Sequence, residues 1–286
     1  MPVVVGRKTE AEKFAGALHT YCIEAMMQDG KALQSGTSHH LGQNFAKAFD
    51  VTFQDRDKEV KHVYATSWGV STRLIGGMVM THSDDNGLVI PPRLAPLPVV
   101  IVPIWRSDEE QEQVLGAARS LTEGWHPLFF TIDDRDQYNP GYKFNEWELK
   151  GVPVRIELGP RDVASQQVIV VRRDTGEKAP MPMDGLREKL EALLEEIQTN
   201  LFNIAKQRMD ERTYTVDSYD EYKERVGDGG FFRVFLDYEN PEVEAKLQED
   251  TRSTIRCIPF DADEQEGPCM ITGKPCTHRV IAGQSY

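Results

Sequence analysis

The sequence predicts a multidomain protein of mixed α/β and α+β class, and three observations carry that expectation. Its 286 residues exceed what one hydrophobic core usually organises. Between residues 99 and 173, apolar runs such as VVIVPIW and VIVVRR alternate with a helical pattern, the arrangement of a small α/β sheet. From Leu186 to Met209, the residues Leu190, Leu193, Leu194, Ile197, Leu201 and Ile204 recur at spacings of three and four, which marks a long amphipathic helix.

In chain order, residues 14–24 and 31–40 flank Gln28-Asp29-Gly30, and Asp-Gly between extended segments is hairpin chemistry. Phe45, Ala46, Ala48 and Phe49 then follow helical spacing, Val51-Thr52-Phe53 reads as a strand, and Asp55 to Lys61 is a charged turn. The stretch from His62 starts β-like and becomes small and apolar. Ser71 and Thr72 are placed there to cap a helix expected to bury Leu74, Ile75, Met78 and Val79. Pro91, Pro92, Pro96 and Pro98 make a stiff connector, so a domain boundary is expected near Ala95. Beyond it come strands at 99–105, 128–133, 152–158 and 168–173, with a helix from Asp108 to Glu123. The tail reads as a small α+β domain with a short helix, an apolar patch at Phe231 to Leu236 and a turn-rich end. Three domains are therefore expected, at 1–95, 96–200 and 201–286.

Composition narrows the function classes. Forty per cent apolar and 28% charged residues are ordinary for a globular protein, and no apolar run approaches the ~20 residues of a membrane span. MPVVVGRKTEAEKF lacks the pattern of a secretory signal, and Cys22, Cys257, Cys269 and Cys276 are too unevenly placed for a disulfide framework, so a cytoplasmic protein is expected. A formal charge of −13 argues against a non-specific nucleic-acid coat, but it does not exclude a local basic surface.

Two polar clusters stand out. Gln34, Thr37, Ser38, His39 and His40 lie on one expected strand, where alternation points Thr37 and His39 one way and Ser38 and His40 the other. Such a row suits a polar ligand, or simply satisfies itself at a sheet edge. The second cluster, Thr66-Ser67-Trp68-Gly69-Val70-Ser71-Thr72-Arg73, ends with an arginine at a helix N-terminus, which suits a phosphate as well as a surface ion pair. Neither supplies a nucleophile with a paired base or a glycine-rich phosphate loop, so no catalytic side chain is assigned.

Together, GRKTEAEKFAGALHTYCIEAMMQDGKALQSGTSHHLGQNFAKAFDV and TSWGVSTRLIGGMVMTHSDDNGLVIPPRLAP closely resemble the prolyl-tRNA synthetases of the archaeal and eukaryotic-like type. The resemblance implies that residues 1–95 are part of a class II synthetase antiparallel sheet, with the Ser71-Thr72-Arg73 stretch in that class's third motif. It implies ATP contacts at Gln34, Thr37, Ser71 and Arg73, and proline contacts at His39, Trp68 and Phe45, the last two as walls for the pyrrolidine ring or as core. The implied reaction joins proline to ATP as prolyl-adenylate, with Mg²⁺, and passes the prolyl group to tRNA(Pro). A homodimer is usual for the full-length family, and no membrane role is implied.

The segment from VVIVPIW to VIVVRRDTGEK resembles the anticodon-binding domain of the same family. Arg135, Lys143, Lys150, Arg155 and Arg161 concentrate positive charge there, and Phe144 and Trp147 either stack unpaired bases or pack between sheet and helix. The C-terminal segment resembles the family's appended domain, where many relatives bind zinc through two close cysteine pairs. Here Thr272 stands where a Cys-x-x-Cys partner of Cys269 is expected, and Cys257, Cys269, Cys276 and His278 are irregularly spaced, so zinc is not expected. Nothing matches the first and second class II motifs. The expectations are an open sheet edge, an exposed apolar face, and no proline activation by this polypeptide alone; the rival reading is a free-standing tRNA-binding module derived from a synthetase.

Overall fold

The computed structural model describes residues 1–262 and 265–286. The chain divides into two compact units, Met1–Thr81 with Ala205–Tyr286, and His82–Ile204. Unit 1 begins with β1 (Val4–Arg7), β2 (His19–Met26), β3 (Ala32–Gly42), α1 (Asn44–Ala48), β4 (Thr52–Gln54), β5 (Val60–His62), β6 (Ala65–Gly69) and α2 (Arg73–His82). Unit 2 holds β7 (Val99–Pro103), α3 (Asp108–Leu121), β8 (Phe130–Ile132), α4 (Pro140–Leu149), β9 (Val154–Leu158), α5 (Pro160–Ala164), β10 (Gln167–Arg172), β11 (Lys178–Pro182) and α6 (Leu186–Glu211) up to Ile204. Unit 1 resumes with β12 (Thr213–Thr215), α7 (Tyr219–Arg225), β13 (Phe231–Val234), α8 (Pro241–Thr251), β14 (Thr254–Pro259), β15 (Gly267–Pro268), β16 (Pro275–Cys276) and β17 (Val280–Gly283).

The two sequence segments of unit 1 share one eight-stranded sheet, ordered β12-β13-β17-β14-β1-β2-β3-β6. This division differs from the one expected at Ala95 and residue 200: the breaks fall at residues 81 and 204, and the first and last segments pair strand to strand through β1 and β14. The tail's turn-rich end supplies β14 and β17 to the middle of that sheet. Both strands are short, which is why the composition of the segment hid them.

Gly6 explains the tight seam between β14, β1 and β2. A Cβ there would lie 2.5 Å from the Ile258 carbonyl oxygen and 2.8 Å from Cys257 Cβ, so only glycine lets the three strands meet. Beside it the Glu24 carboxylate is buried between two cations. Lys8 Nζ donates to Oε1 at 2.8 Å, and Arg256 Nη2 donates to Oε2 at 3.1 Å, so β2, β14 and the residue after β1 meet at one charge. Lys8 also donates to the Arg256 carbonyl at 2.7 Å.

The β2–β3 hairpin forms as its sequence expects, with Gly30 at φ +86° in the turn. The helix α2 does not bury the residues expected. Ile75 is 64% exposed and Leu74, Met78 and Val79 are half-buried, while Gly77 and Thr81 take the buried face. The physical reason is close approach: Leu33 comes so near that a Cβ on Gly77 would stand 2.8 Å from its Cδ2, so a small residue rather than a large one faces the sheet.

Unit 2 carries a five-stranded mixed sheet, β11-β10-β9-β7-β8, in which β7 is parallel to β8 and β9 while β10 and β11 run antiparallel. The α/β class expected from the sequence holds. Leu190, Leu194, Ile197 and Leu201 of α6 join Val99, Ile101, Val154, Ile156 and Val170 in its core. The short helices α4 and α5 and strand β11 are additions to the elements the sequence named.

Removing the Glu24 carboxylate leaves Lys8 and Arg256 buried and unpaired, which costs about 3–5 kcal/mol. We expect Glu24→Ala to lower the stability of unit 1 by that amount in urea unfolding, and replacement of all three ions by apolar residues of similar size to recover much of it. A loss below about 1 kcal/mol for the single substitution would mean that the ions stay hydrated.

Candidate functional site

In unit 1 the register decides which polar residues meet. Glu24 pairs with Gln34, Cys22 with Thr37 and Thr20 with His39, so Gln34, Thr37 and His39 share one face of the sheet. Gln34 and Thr37 are three apart and share a face because a bulge at Ser35 resets the alternation. Ser71 and Arg73 follow β6, the partner of β3, past Gly69 opposite Thr37, which puts them at the Gln34 end. Arg73 starts α2 with an exposed guanidinium, and its N–H donates to Ser71 Oγ at 3.3 Å.

At the other end of the row, about 7 Å on from Thr37, His39 is oriented from behind. The Thr20 hydroxyl accepts the Phe14 N–H at 3.0 Å and lies 3.0 Å from His39 Nδ1. The hydroxyl, which both donates and accepts, thus ties the His39 ring to the Phe14 backbone. Phe14 packs on His39 with ring centroids 4.7 Å apart and stacks with Phe45 at 6.2 Å, so Phe45, Phe14 and His39 form one aromatic corner. Phe14 was not singled out from the sequence, where only its place in Phe14-Ala15-Gly16 hinted at it. Gly16 admits the Phe45 ring so closely that a Cβ there would sit 3.0 Å from it.

Trp68 does not join this corner. It pairs with Ser38, whose side chain faces away from His39, and it is 78% exposed. The strict alternation of β6 sends Ser67 to the His39 side and Trp68 to the other. His40 shares that other face, with Nδ1 buried and unpartnered. A cavity of about 610 Å³ also opens there, lined by Val5, Phe260, Thr215 and Arg233 among others, and is separate from the Gln34–His39 row. β6 ends the sheet, and Tyr64 and Val70 beside it are 74% and 70% exposed.

In unit 2, Asp133 at the end of β8 organises the expected basic residues. Its carboxylate accepts from Arg135 Nε at 2.7 Å, Arg135 Nη2 at 2.7 Å and Trp147 Nε1 at 2.8 Å. Burial alone would push this carboxyl up, but those bonds and the nearby Lys143 charge bring it down to about 2. Lys143 is 2% exposed, donates to the Asp133 carbonyl at 2.9 Å and sits over the Trp105 ring at 5.1 Å, so it is a strut and not a surface cation. Burial lowers its pKa.

Phe144 and Trp147 are half-buried against Val100, Val102 and Val152, with Arg155 4.5 Å from the centroid of the first ring and Lys150 4.5 Å from that of the second. Lys150 also pairs with Glu146 at 2.7 Å. Arg155 Nη2 meets Glu157 at 3.2 Å, while Arg155 Nε is buried with no hydrogen-bond partner among the described residues. Trp147, Arg155, Glu148 and Arg173 line a cavity of about 290 Å³. Arg173, which the sequence reading passed over, is held by Asp84 through bonds of 2.8 and 2.6 Å, and donates from Nε to the Glu148 carbonyl at 3.1 Å. Arg161 stands apart, exposed on α5.

Both units thus gather candidate binding groups. The chain was compared with known proteins on that footing. Residues 98–193 match the family model described as anticodon binding domain, and residues 219–286 match that described as prolyl-tRNA synthetase, C-terminal. Over its whole length the chain is 54% identical to the proline–tRNA ligase of Chloroflexus aurantiacus, covering 60% of that protein. It is 52% identical to those of Bacteroides fragilis and Salinibacter ruber, covering 59% of each. The chain is similar throughout to a C-terminal part of prolyl-tRNA synthetases. It corresponds to the C-terminal part of those relatives and spans about 60% of their length.

Metal sites were tested against the donors present. Cys269 and Cys276 lie on the β15–β16 hairpin, Cys257 lies on β14, and His278 packs on Tyr238 at 5.5 Å. Burial opposes ionisation of Cys269, but the Thr272 hydroxyl and the N–H groups of Thr272, Asp237 and Ile271 bring its pKa below the usual thiol range; burial pushes Cys276 up to about 11. Among the described residues, no group of three or more His, Cys, Asp or Glu is arranged to hold a metal ion. Among the described residues no helix is long and apolar enough to cross a membrane.

The depressed Asp133 carboxyl gives a pH prediction. With an unfolded value of 3.8 and a folded value of about 2, its contribution is fully present above pH 4 and fades as pH falls through about 2. Roughly 2 kcal/mol is at stake. Acid unfolding of the wild type followed by Trp fluorescence is expected to show this loss, and Asp133→Asn to be destabilised at pH 7 with a flatter profile below pH 4. A variant that keeps the full acid slope would remove Asp133 from this role.

Proposed function

We propose that this chain is the tRNA-recognising part, and one side of the aminoacylation site, of a ligase that joins L-proline to tRNA(Pro). The observation that carries the reading is the single face holding Gln34, Thr37 and His39, in a chain 54% identical throughout to a proline–tRNA ligase. Gln34, Thr37, Ser71 and Arg73 hold ATP, with the Arg73 fork and the α2 N-terminus on its phosphates. His39, Phe45 and Phe14 hold proline, the rings giving flat apolar contact to the pyrrolidine and the His39 imidazole hydrogen-bonding a polar group.

In the proposed reaction the proline carboxylate attacks the α-phosphate of ATP, forming the mixed anhydride and releasing pyrophosphate. The terminal ribose hydroxyl of the tRNA then takes the prolyl group and AMP leaves. These residues position the reactants and neutralise charge; none of them forms a covalent bond to proline. Mg²⁺ would supply further charge neutralisation on the phosphates when bound.

In unit 2 the cavity beside Arg155 takes an anticodon base. Phe144, Trp147 and Lys150 frame that site, Arg161 extends the positive surface, and Lys143 supports it from within. The full-length form is proposed to act as a homodimer in the cytoplasm.

The open β6 edge and its exposed aromatic residues favour one further consequence. The purified chain alone is expected to show no proline-dependent exchange of pyrophosphate into ATP, yet to bind tRNA(Pro) more tightly than the same tRNA with a changed anticodon. Measurable exchange would overturn the first statement. Equal, salt-sensitive binding to both tRNAs would overturn the anticodon reading.

A further inference from the structure

Arg135, Tyr138 and Tyr142 form a layered stack at the start of α4 that the site described above does not use. The two tyrosine rings lie 4.4 Å apart with planes 16° from parallel, and the Arg135 guanidinium lies 4.9 Å from the Tyr138 centroid. The Arg135 guanidinium and the Tyr142 ring both lie against Tyr138. Tyr142 is 49% exposed, so the stack reaches solvent at that residue.

The first layer is held rigidly, since Arg135 donates to Asp133 at 2.7 Å and to Glu146 at 2.6 Å. The rings are held by backbone geometry: Asn139 caps the helix by accepting the Tyr142 N–H at 2.9 Å, and Pro140 fixes the first helical turn between them. A stack of fixed spacing that ends in water is a platform for one more flat π-system.

We infer that Tyr142 stacks an unpaired nucleobase of the tRNA anticodon loop, as a subsite additional to the Arg155 cavity. The inference rests on the anticodon reading of unit 2. The neighbouring charges choose the base over the backbone. Asp134 and Asp136 are exposed on the same loop, so a phosphate is repelled there, whereas an uncharged base is not. The contact is therefore insensitive to salt.

The test is binding of an anticodon stem–loop RNA of tRNA(Pro), with 2-aminopurine at one loop position at a time, across a salt series. Tyr142→Ala is expected to weaken binding about 5- to 50-fold with an unchanged salt slope, and to relieve the quenching of one 2-aminopurine. Tyr142→Phe, which keeps the ring, is expected to bind as the wild type does. Unchanged affinity and quenching in Tyr142→Ala, while Arg155→Ala binds weakly, would overturn this inference alone. A reduced salt slope in Tyr142→Ala would assign the residue to phosphate and overturn it too. Failure of the wild-type chain to bind the hairpin would overturn the anticodon reading and this inference with it.

Discussion

The buried carboxylate of Glu24 is the constraint on which the architecture of unit 1 turns. It lies on a strand near the start of the chain and is neutralised by Lys8 beside it and by Arg256, 232 residues away in sequence. Lys8 supplies one counter-charge from within the first segment, and Arg256 ties the last segment to the same carboxylate. Arg256 also donates to Ser285 Oγ at 3.0 Å, which extends the same tie to the chain end. The two segments of unit 1 are therefore one folding problem, although 123 residues separate them from 82 to 204.

The same seam shapes the candidate site. The strand that carries Glu24 pairs with the one that carries Gln34, and the bulge at Ser35 turns the next residues so that Thr37 and His39 follow Gln34 onto the Glu24 side. Without the bulge Gln34 would share the opposite face with Ser38 and His40. Ligand groups and stabilising ions thus occupy one face by a single irregularity in one strand.

Much of this was legible in the sequence where local chemistry decides. Asp29-Gly30 announced the hairpin, the leucine spacing announced α6, and Thr37 and His39 were placed together by alternation. What escaped depends on tertiary contacts. Strict alternation separates Gln34 from Thr37, and only pairing reveals the bulge. Ile75 looks like core by composition, but Gly77 is what fits beneath Leu33. Lys143 reads as surface charge among arginines, yet its stem is buried and its ammonium is taken by the Asp133 carbonyl. Arg173 and Asp84, 89 residues apart, had no local mark at all.

Charge accounting in unit 2 bears on the proposed recognition of a polyanion by an acidic chain. Arg135 is paired with Asp133 and Glu146, Lys150 with Glu146, Arg172 with Asp174, Arg173 with Asp84, and Lys178 with Glu157. Most of the positive charge is consumed internally, where it fixes ring planes and cavity walls instead of attracting phosphate over long range. Cations paired in this way leave exposed rings such as Tyr142 and the cavity beside Arg155 as the places open to a ligand. A surface of that kind discriminates by shape, stacking and hydrogen-bond direction, because those terms persist where bulk attraction is weak. On the proposed reading, low net attraction also limits association with the wrong RNA, so the pairing that stabilises unit 2 would sharpen what it binds.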